Sequence, residues 1–153
     1  MAQSIHHMEL DISINKIWNF ISDMNNWAVL IPGYADHEIL SSTESIWKLH
    51  GDIGIMNRTV NLKVNITEWM EPSNVRFNLS SLNKTCVGNG YFLATELSDQ
   101  KTKITGCLNL TVKGMMGPMM NPLLKTVVPK IGKDLTEKVT AKIMEKEELR
   151  VTV

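Results

Sequence analysis

Residues 114–148 read GMMGPMMNPLLKTVVPKIGKDLTEKVTAKIMEKEE, and the fold turns on this stretch. Apolar residues at Met120, Leu124, Val127, Val128, Ile131, Leu135, Val139 and Ile143 keep the three-and-four spacing that aligns side chains along one stripe of an α-helix. Asn121 is expected to cap this helix, with Pro122 at the first helical position, where its missing N–H costs nothing. Pro129 lies well inside and predicts a kink, because its ring clashes with the carbonyl four residues back. From Pro122 to Glu148 the helix would be about 40 Å long. Lys138 and Lys142 enter the stripe late, so the end of the helix is expected to be wet.

A helix of that length needs a wide surface to pack on, and the preceding residues supply one. From Ala35 to the final helix the hydrophobic period is two. The candidate strands are His37 to Thr43, Ser45 to Gly51, Asn57 to Trp69, Asn74 to Ser81, Val87 to Leu97 and Lys103 to Lys113. The third is the clearest, with Val60, Leu62, Val64 and Ile66 alternating against Thr59, Asn61, Lys63, Asn65 and Thr67. Short connections such as Glu71 to Asn74 and Ser98 to Lys101 suit an antiparallel meander with one face in water. Gly51, Gly54, Gly88, Gly90 and Gly106 lie in or beside these strands, where glycine marks bulges or bends.

Ahead of this region, Met8, Leu10 and Ile12 alternate with His7, Glu9 and Asp11 as a half-buried strand. Ser13 stands as an N-cap before Ile14, Ile17, Trp18 and Ile21, a one-face helical pattern. Asp23 to Asn26 interrupts it, and Trp27 to Ile31 forms a second short helix stopped by Pro32-Gly33. The expected fold is therefore α+β, one domain over residues 1–153, with a curved seven-stranded antiparallel sheet wrapped around a long C-terminal helix and two short helices between strands 1 and 2. Such a sheet is about 30 Å wide, whereas one helix covers only about 10–12 Å. It must curl, and space left unfilled becomes an internal cavity. Met115, Met116, Met119 and Met120 around Gly114, Gly117 and Pro118 read as the mouth of that cavity or as core filler beside a loop, since Met adapts to varied apolar partners.

Composition excludes several functions. The 16 Lys and Arg balance the 16 Asp and Glu, so no long-range field favours nucleic acid. The N-terminus lacks a basic region followed by an apolar run, and no window approaches the roughly 18 apolar residues of a spanning helix, so a cytoplasmic protein is expected. Cys86 and Cys107 have no CxxC spacing and are expected to be reduced thiols. N-glycosylation patterns at Asn57, Asn65, Asn78, Asn83 and Asn109 are discounted, several lying in strand-like stretches. His6 and His7 point to opposite faces of a strand, and His37 and His50 have no partner at ligand spacing, so neither a metal nor any cofactor is expected. No catalytic motif occurs, and Asp52 and Glu68 are isolated carboxylates. Arg58 is either a solvated hairpin residue or a polar anchor for a ligand head group.

The element order resembles the START-like or Bet v 1-like superfamily (SRPBCC, which includes polyketide cyclases) and its helix-grip fold. Within it the chain resembles the carbon monoxide dehydrogenase G-subunit family. The residues that carry the likeness are Trp18-Asn19-Phe20-Ile21-Ser22-Asp23 leading to Ile31-Pro32-Gly33, then Gly51-Asp52-Ile53-Gly54, then Val64-Asn65-Ile66-Thr67-Glu68 followed by Pro72, and Thr102-Lys103-Ile104 running through Val112-Lys113-Gly114 to Leu123-Leu124. Two departures are visible. Ser80 to Thr85 stands where the family tends to be glycine-rich, and the sequence ends at Val153 without the hydrophobic C-terminal extension of longer members, so no direct membrane tether is expected.

The resemblance implies a hydrophobic cavity beneath the C-terminal helix for a lipid-like or quinone-like molecule, in proteins associated with molybdenum hydroxylases of the carbon monoxide dehydrogenase type. The expected activity is binding or carriage rather than catalysis. A cyclase- or hydrolase-type enzyme in the same cavity, or an assembly partner of another protein, is the alternative. The ligand-contacting residues are expected to be Trp27, Ile31, Trp47, Leu62, Val64, Leu108, Leu110, Met116, Met119, Met120, Leu124, Val127 and Ile131. Expected partners are a hydrophobic small molecule, a molybdenum hydroxylase complex and transient contact with a membrane, with no spanning segment and no nucleic acid.

Overall fold

The computed structural model describes residues 2–50 and 59–152, with side chains through 146. The chain runs β1 (Ala2–Leu10), α1 (Ile14–Ile21), α2 (Met24–Ala28), β2 (Tyr34–Ile39), β3 (Glu44–His50), β4 (Thr59–Met70), β5 (Asn74–Ser81), β6 (Cys86–Ser98), β7 (Lys101–Val112), a 3₁₀ turn (Gly114–Met116) and α3 (Gly117–Thr152). All seven strands form one antiparallel sheet in the order β1-β7-β6-β5-β4-β3-β2. The hairpins that follow one another in sequence pair side by side, and β1 closes the far edge on β7, with Ala2 opposite Leu110 and Leu10 opposite Thr102. This is the expected α+β architecture.

Several local readings are corrected. The second short helix starts at Met24, not Trp27, because Asp23 is its cap: the carboxylate accepts from the Asn25 N–H at 3.0 Å. Ser13 stands at the N-cap of α1, but its hydroxyl makes no capping bond. The strand bulges fall between Tyr34 and Asp36, Ile66 and Glu68, and Glu96 and Ser98, none of them at a glycine. Gly88, Gly90 and Gly106 instead mark places where a side chain would strike a neighbouring strand or helix. Gly51, Gly54, Asp52 and Arg58 lie outside the described residues.

The long helix also differs from its sequence reading. It begins at Gly117, with Pro118 in the first turn, and runs on through Pro122 and Pro129. Asn121 is thus inside the helix and does not cap it. The stripe stays buried as far as Val139, 6% exposed, and Ile143, 2% exposed, and the last described side chains, Glu145 and Lys146, are in water. Lys138 and Lys142 turn outward to Asp134 at 3.0 Å and Glu145 at 3.4 Å.

Two neighbouring rows of the helix, each in steps of four, decide how it sits. The row Leu124, Val128, Gly132, Thr136, Thr140 lies on β1 and β7. Leu124 and Val128 bury against Ala2, Leu108, Leu110 and Val112. Below them a Cβ on Gly132 would collide with Ser4, a Cβ on Gly106 would lie 2.7 Å from Thr136 Oγ1, and Thr140 Oγ1 lies 3.3 Å from Met8 Sδ. Small side chains on both partners let backbone approach backbone. The adjoining row, Ile131, Leu135, Val139 and Ile143, turns toward the middle of the sheet, and Val139 and Ile143 join Ile17, Ile21, Trp27, Val64, Val75 and Ile104 in the main core. The helix is seated along β1 and β7 at one side of the sheet, while α1 and α2 meet the inner face of the remaining strands at one end, α2 through Trp27 on Trp47 and Phe77.

Candidate functional site

Between α3 and the inner face of the sheet lies a cavity of about 1000 Å³. Its walls follow from the period of the strands. Trp47 and Leu49 on β3, Leu62 on β4, Val75, Phe77 and Leu79 on β5, Phe92 on β6, and Leu108, Leu110 and Val112 on β7 all face it. Ile131, Leu135 and Val139 of the helix form the roof. Trp27 and Ile31, held by α2 and the turn after it, close one side. The Trp27 indole N–H donates to the Ile21 carbonyl at 3.0 Å, which fixes the ring. Its ring meets Trp47 edge-on at 5.2 Å between centroids and lies 6.4 Å from Phe77, an arrangement favoured by the ring quadrupoles.

At one end the 3₁₀ turn and the start of α3 meet the β5–β6 turn, where the Lys113 N–H bonds the Thr85 carbonyl at 2.6 Å. This is the mouth. Met116 and Met120 border the cavity here, and Leu124 lies a turn further in. Met115 is 98%, Leu82 61% and Met119 60% exposed, an unusual amount of apolar side chain to leave in water. Asn121 positions the turn: its Nδ2 donates to the Val112 carbonyl at 3.0 Å, and its Oδ1 accepts from the Val112 N–H at 2.9 Å.

Of the residues named from sequence, Trp27, Ile31, Trp47, Leu62, Leu108, Leu110, Met116, Met120, Leu124 and Ile131 border this cavity. Three do not. Val64 is fully buried in the core below it, Met119 points to solvent, and Val127 lies on the helix away from the cavity wall. Sequence reasoning omitted Val75, Phe77 and Leu79, although their alternation on β5 is as regular as that on β4.

The described lining includes no carboxylate. Most of its polar side chains have protein partners. Ser81 Oγ donates to Asn83 Oδ1 at 2.7 Å, Thr136 Oγ1 donates to the Gly132 carbonyl at 2.8 Å, and His50 Nδ1 lies 3.0 Å from Thr59 Oγ1. Cys86, half-buried at the mouth, has its thiol pushed up from the ordinary value by burial, so it is protonated at neutral pH. Among the described residues no cluster of three or more His, Cys, Asp or Glu could hold a metal ion, and no helix is long and apolar enough to cross a membrane.

Comparison with known proteins sets this geometry in context. No curated protein matches the sequence. Among solved structures, a START superfamily protein from Mycobacterium smegmatis is 14% identical, with 95% of this chain and 99% of that one covered at a TM-score of 0.74. A point mutant of norcoclaurine synthase from Thalictrum flavum, solved with a transition-state analogue, is 15% identical over 95% of each chain at 0.68. The ZhuI aromatase/cyclase from Streptomyces sp. R1128 is 13% identical over 97% of this chain and 94% of that one at 0.66. At these identities the likeness shows the fold. A family model whose description reads only "-like:-like" matches residues 1–147. The chain belongs to the family which that model describes, and its fold is the START/Bet v 1-like helix-grip fold.

Proposed function

We propose that the protein binds and carries a hydrophobic small molecule, lipid-like or quinone-like, in the cavity between sheet and C-terminal helix. One observation carries the reading: a space of about 1000 Å³, walled by aromatic and aliphatic side chains, opens between a curved sheet and its helix. That volume suits a sizeable organic ligand, and burial of apolar surface supplies about 25 cal/mol per Å² removed from water. Trp27, Ile31, Trp47, Leu62, Leu108, Leu110, Leu124 and Ile131 would contact the ligand, while Met116 and Met120 would adapt to it at the mouth. Native mass spectrometry of the purified protein, followed by solvent extraction, tests this. A released lipid or isoprenoid supports it; a clean apo mass and failure to take up added quinones or fatty acids would sink it.

A second reading rests on the exposed apolar side chains at the mouth, Met115, Met116, Met119 and Leu82. They suit contact with whatever supplies or receives the ligand. The resemblance to the carbon monoxide dehydrogenase G-subunit family makes a molybdenum hydroxylase complex the protein partner to test, and transient membrane contact the other source. The same resemblance, with two free thiols, supports a cytoplasmic location in this reading. An enzyme of cyclase type would need at least two convergent polar side chains in the cavity, and the Ser81 and Thr136 hydroxyls, already bonded within the protein, argue for carriage.

A further inference from the structure

Met119 and Val127 turn away from the cavity, and they share a row. Met119, Leu123 and Val127 follow one another in steps of four, which puts them on one side of α3. None of the three borders the cavity, and none belongs to either core cluster. Met119 is 60% and Leu123 48% exposed, with Val127 half-buried. Where the row begins, Leu82 and Met115 stand out from the mouth itself. Apolar side chains thus run from the rim of the cavity along the outer side of the first turns of α3.

The charge around them has one sign. Neither residues 72–95 nor residues 100–133 include an Asp or Glu, whereas Lys84 and Lys113 flank the rim and Lys130 prolongs the row three residues beyond Val127, with Lys133 after it. All four lysines are exposed. Lys63, Lys101, Lys138 and Lys142 each meet a carboxylate at 3.0–3.8 Å. Among the described residues, Lys84, Lys113, Lys130 and Lys133 meet none.

An apolar row edged by unpaired cations fits a surface that offers hydrocarbon beneath a layer of negative charge. A bilayer with anionic head groups offers both. The apolar row is about three turns long, and the opposite side of α3 is held on β1 and β7, so the helix would lie in the interface plane rather than cross it. We propose that this face docks on an anionic membrane surface, with Met115, Met119 and Leu123 at the acyl boundary and Lys84, Lys113 and Lys130 among the head groups. Docked in this way, the mouth opens onto the bilayer, and an apolar ligand passes between membrane and cavity without entering water. The proposal rests on the carrier reading for its purpose, while the contact itself is separate from the cavity walls.

The test is sedimentation of the full chain with vesicles of phosphatidylcholine alone and of phosphatidylcholine mixed with phosphatidylglycerol. Binding is expected with the mixed vesicles, at least about 10-fold weaker with the neutral ones and weakened by added salt. The variants are Lys113→Glu/Lys130→Glu and Met119→Ser/Leu123→Ser, all at exposed positions, with thermal unfolding as the check on the fold. Each double variant is expected to lower affinity for mixed vesicles at least about 10-fold, while uptake of a quinone or fatty acid added without vesicles stays within about 2-fold. If the parent takes up the added ligand yet does not sediment with mixed vesicles, or if both folded variants sediment as the parent does, the docking assignment is overturned and the carrier reading stands. If the parent sediments but takes up neither ligand, the carrier reading fails and the docking face stands.

Discussion

The Asn121 carboxamide pairs with both backbone groups of Val112, taking the place of a neighbouring strand at the end of β7. An amide side chain is suited to this because it presents one donor and one acceptor side by side, as a peptide group does. The contact ties the first turns of α3 to the sheet at the mouth of the cavity. Asn121→Ala is expected to destabilise the protein by about 1–3 kcal/mol, since it leaves two partly buried backbone groups unpaired. Asn121→Asp puts a charged oxygen in place of the donor, facing the Val112 carbonyl, and should cost at least as much as Asn121→Ala. Urea unfolding of the three proteins checks the order; equal midpoints would refute the clamp.

Gly132 faces Ser4 so closely that a Cβ would overlap its side chain. In an exposed helix Gly→Ala is worth about 1 kcal/mol of added stability. Here Gly132→Ala is expected to lower stability by about 1–3 kcal/mol, because α3 must lift from β1. Ser4→Gly in the same chain should recover most of the loss. Thermal unfolding of both variants tests the pair, and a more stable single variant would show that the helix can shift without cost.

Filling the cavity separates stability from binding. Leu135→Trp adds volume at the roof, where the wall is not close-packed. The unliganded variant is expected to unfold within about 1 kcal/mol of the parent, while uptake of an added quinone or fatty acid falls at least about 10-fold. Loss of binding with a large loss of stability would instead indicate a closed, filled interior.

Burial raises the Cys86 thiol above its ordinary value. The folded chain holds this proton more tightly than the unfolded one, so between the ordinary thiol pKa of about 8.5 and the raised folded value the unfolded state has fewer protons. Stability is then fully present below about pH 8.5 and declines as pH rises through that window. Unfolding at pH 7 and pH 10 should show a larger loss for the parent than for Cys86→Ser. Alkylation of Cys86 should likewise be slow at pH 7 and protected by a bound ligand; rapid labelling at pH 7 would contradict the assigned burial.

Much of the fold is legible in the chain itself. The period of two on β4, from Val60 to Ile66, and the three-and-four spacing on α3 specify strand and helix because each period dictates a single buried face. Asn74–Ser81 is bounded to the residue by its turns. The start of α3 is misread from sequence because Asn-Pro is a strong local start signal, whereas the true start is set by the turn after β7 and the tertiary bond from Asn121. The close approach of Gly132 to Ser4 is equally hidden, since a sequence names a glycine without naming what stands over it.

The sequence alone determined that a seven-stranded sheet must share its inner face with a single helix too narrow to cover it. Only the tertiary structure decided where the uncovered space falls. Periodicity reports that a face is buried but not against what, and the placement depended on size: Gly132, Thr136 and Thr140 fit closely over Ser4, Gly106 and Met8. That close fit draws α3 onto β1 and β7, and the bulkier row of Ile131 and Leu135 is left to roof the cavity over the remaining strands.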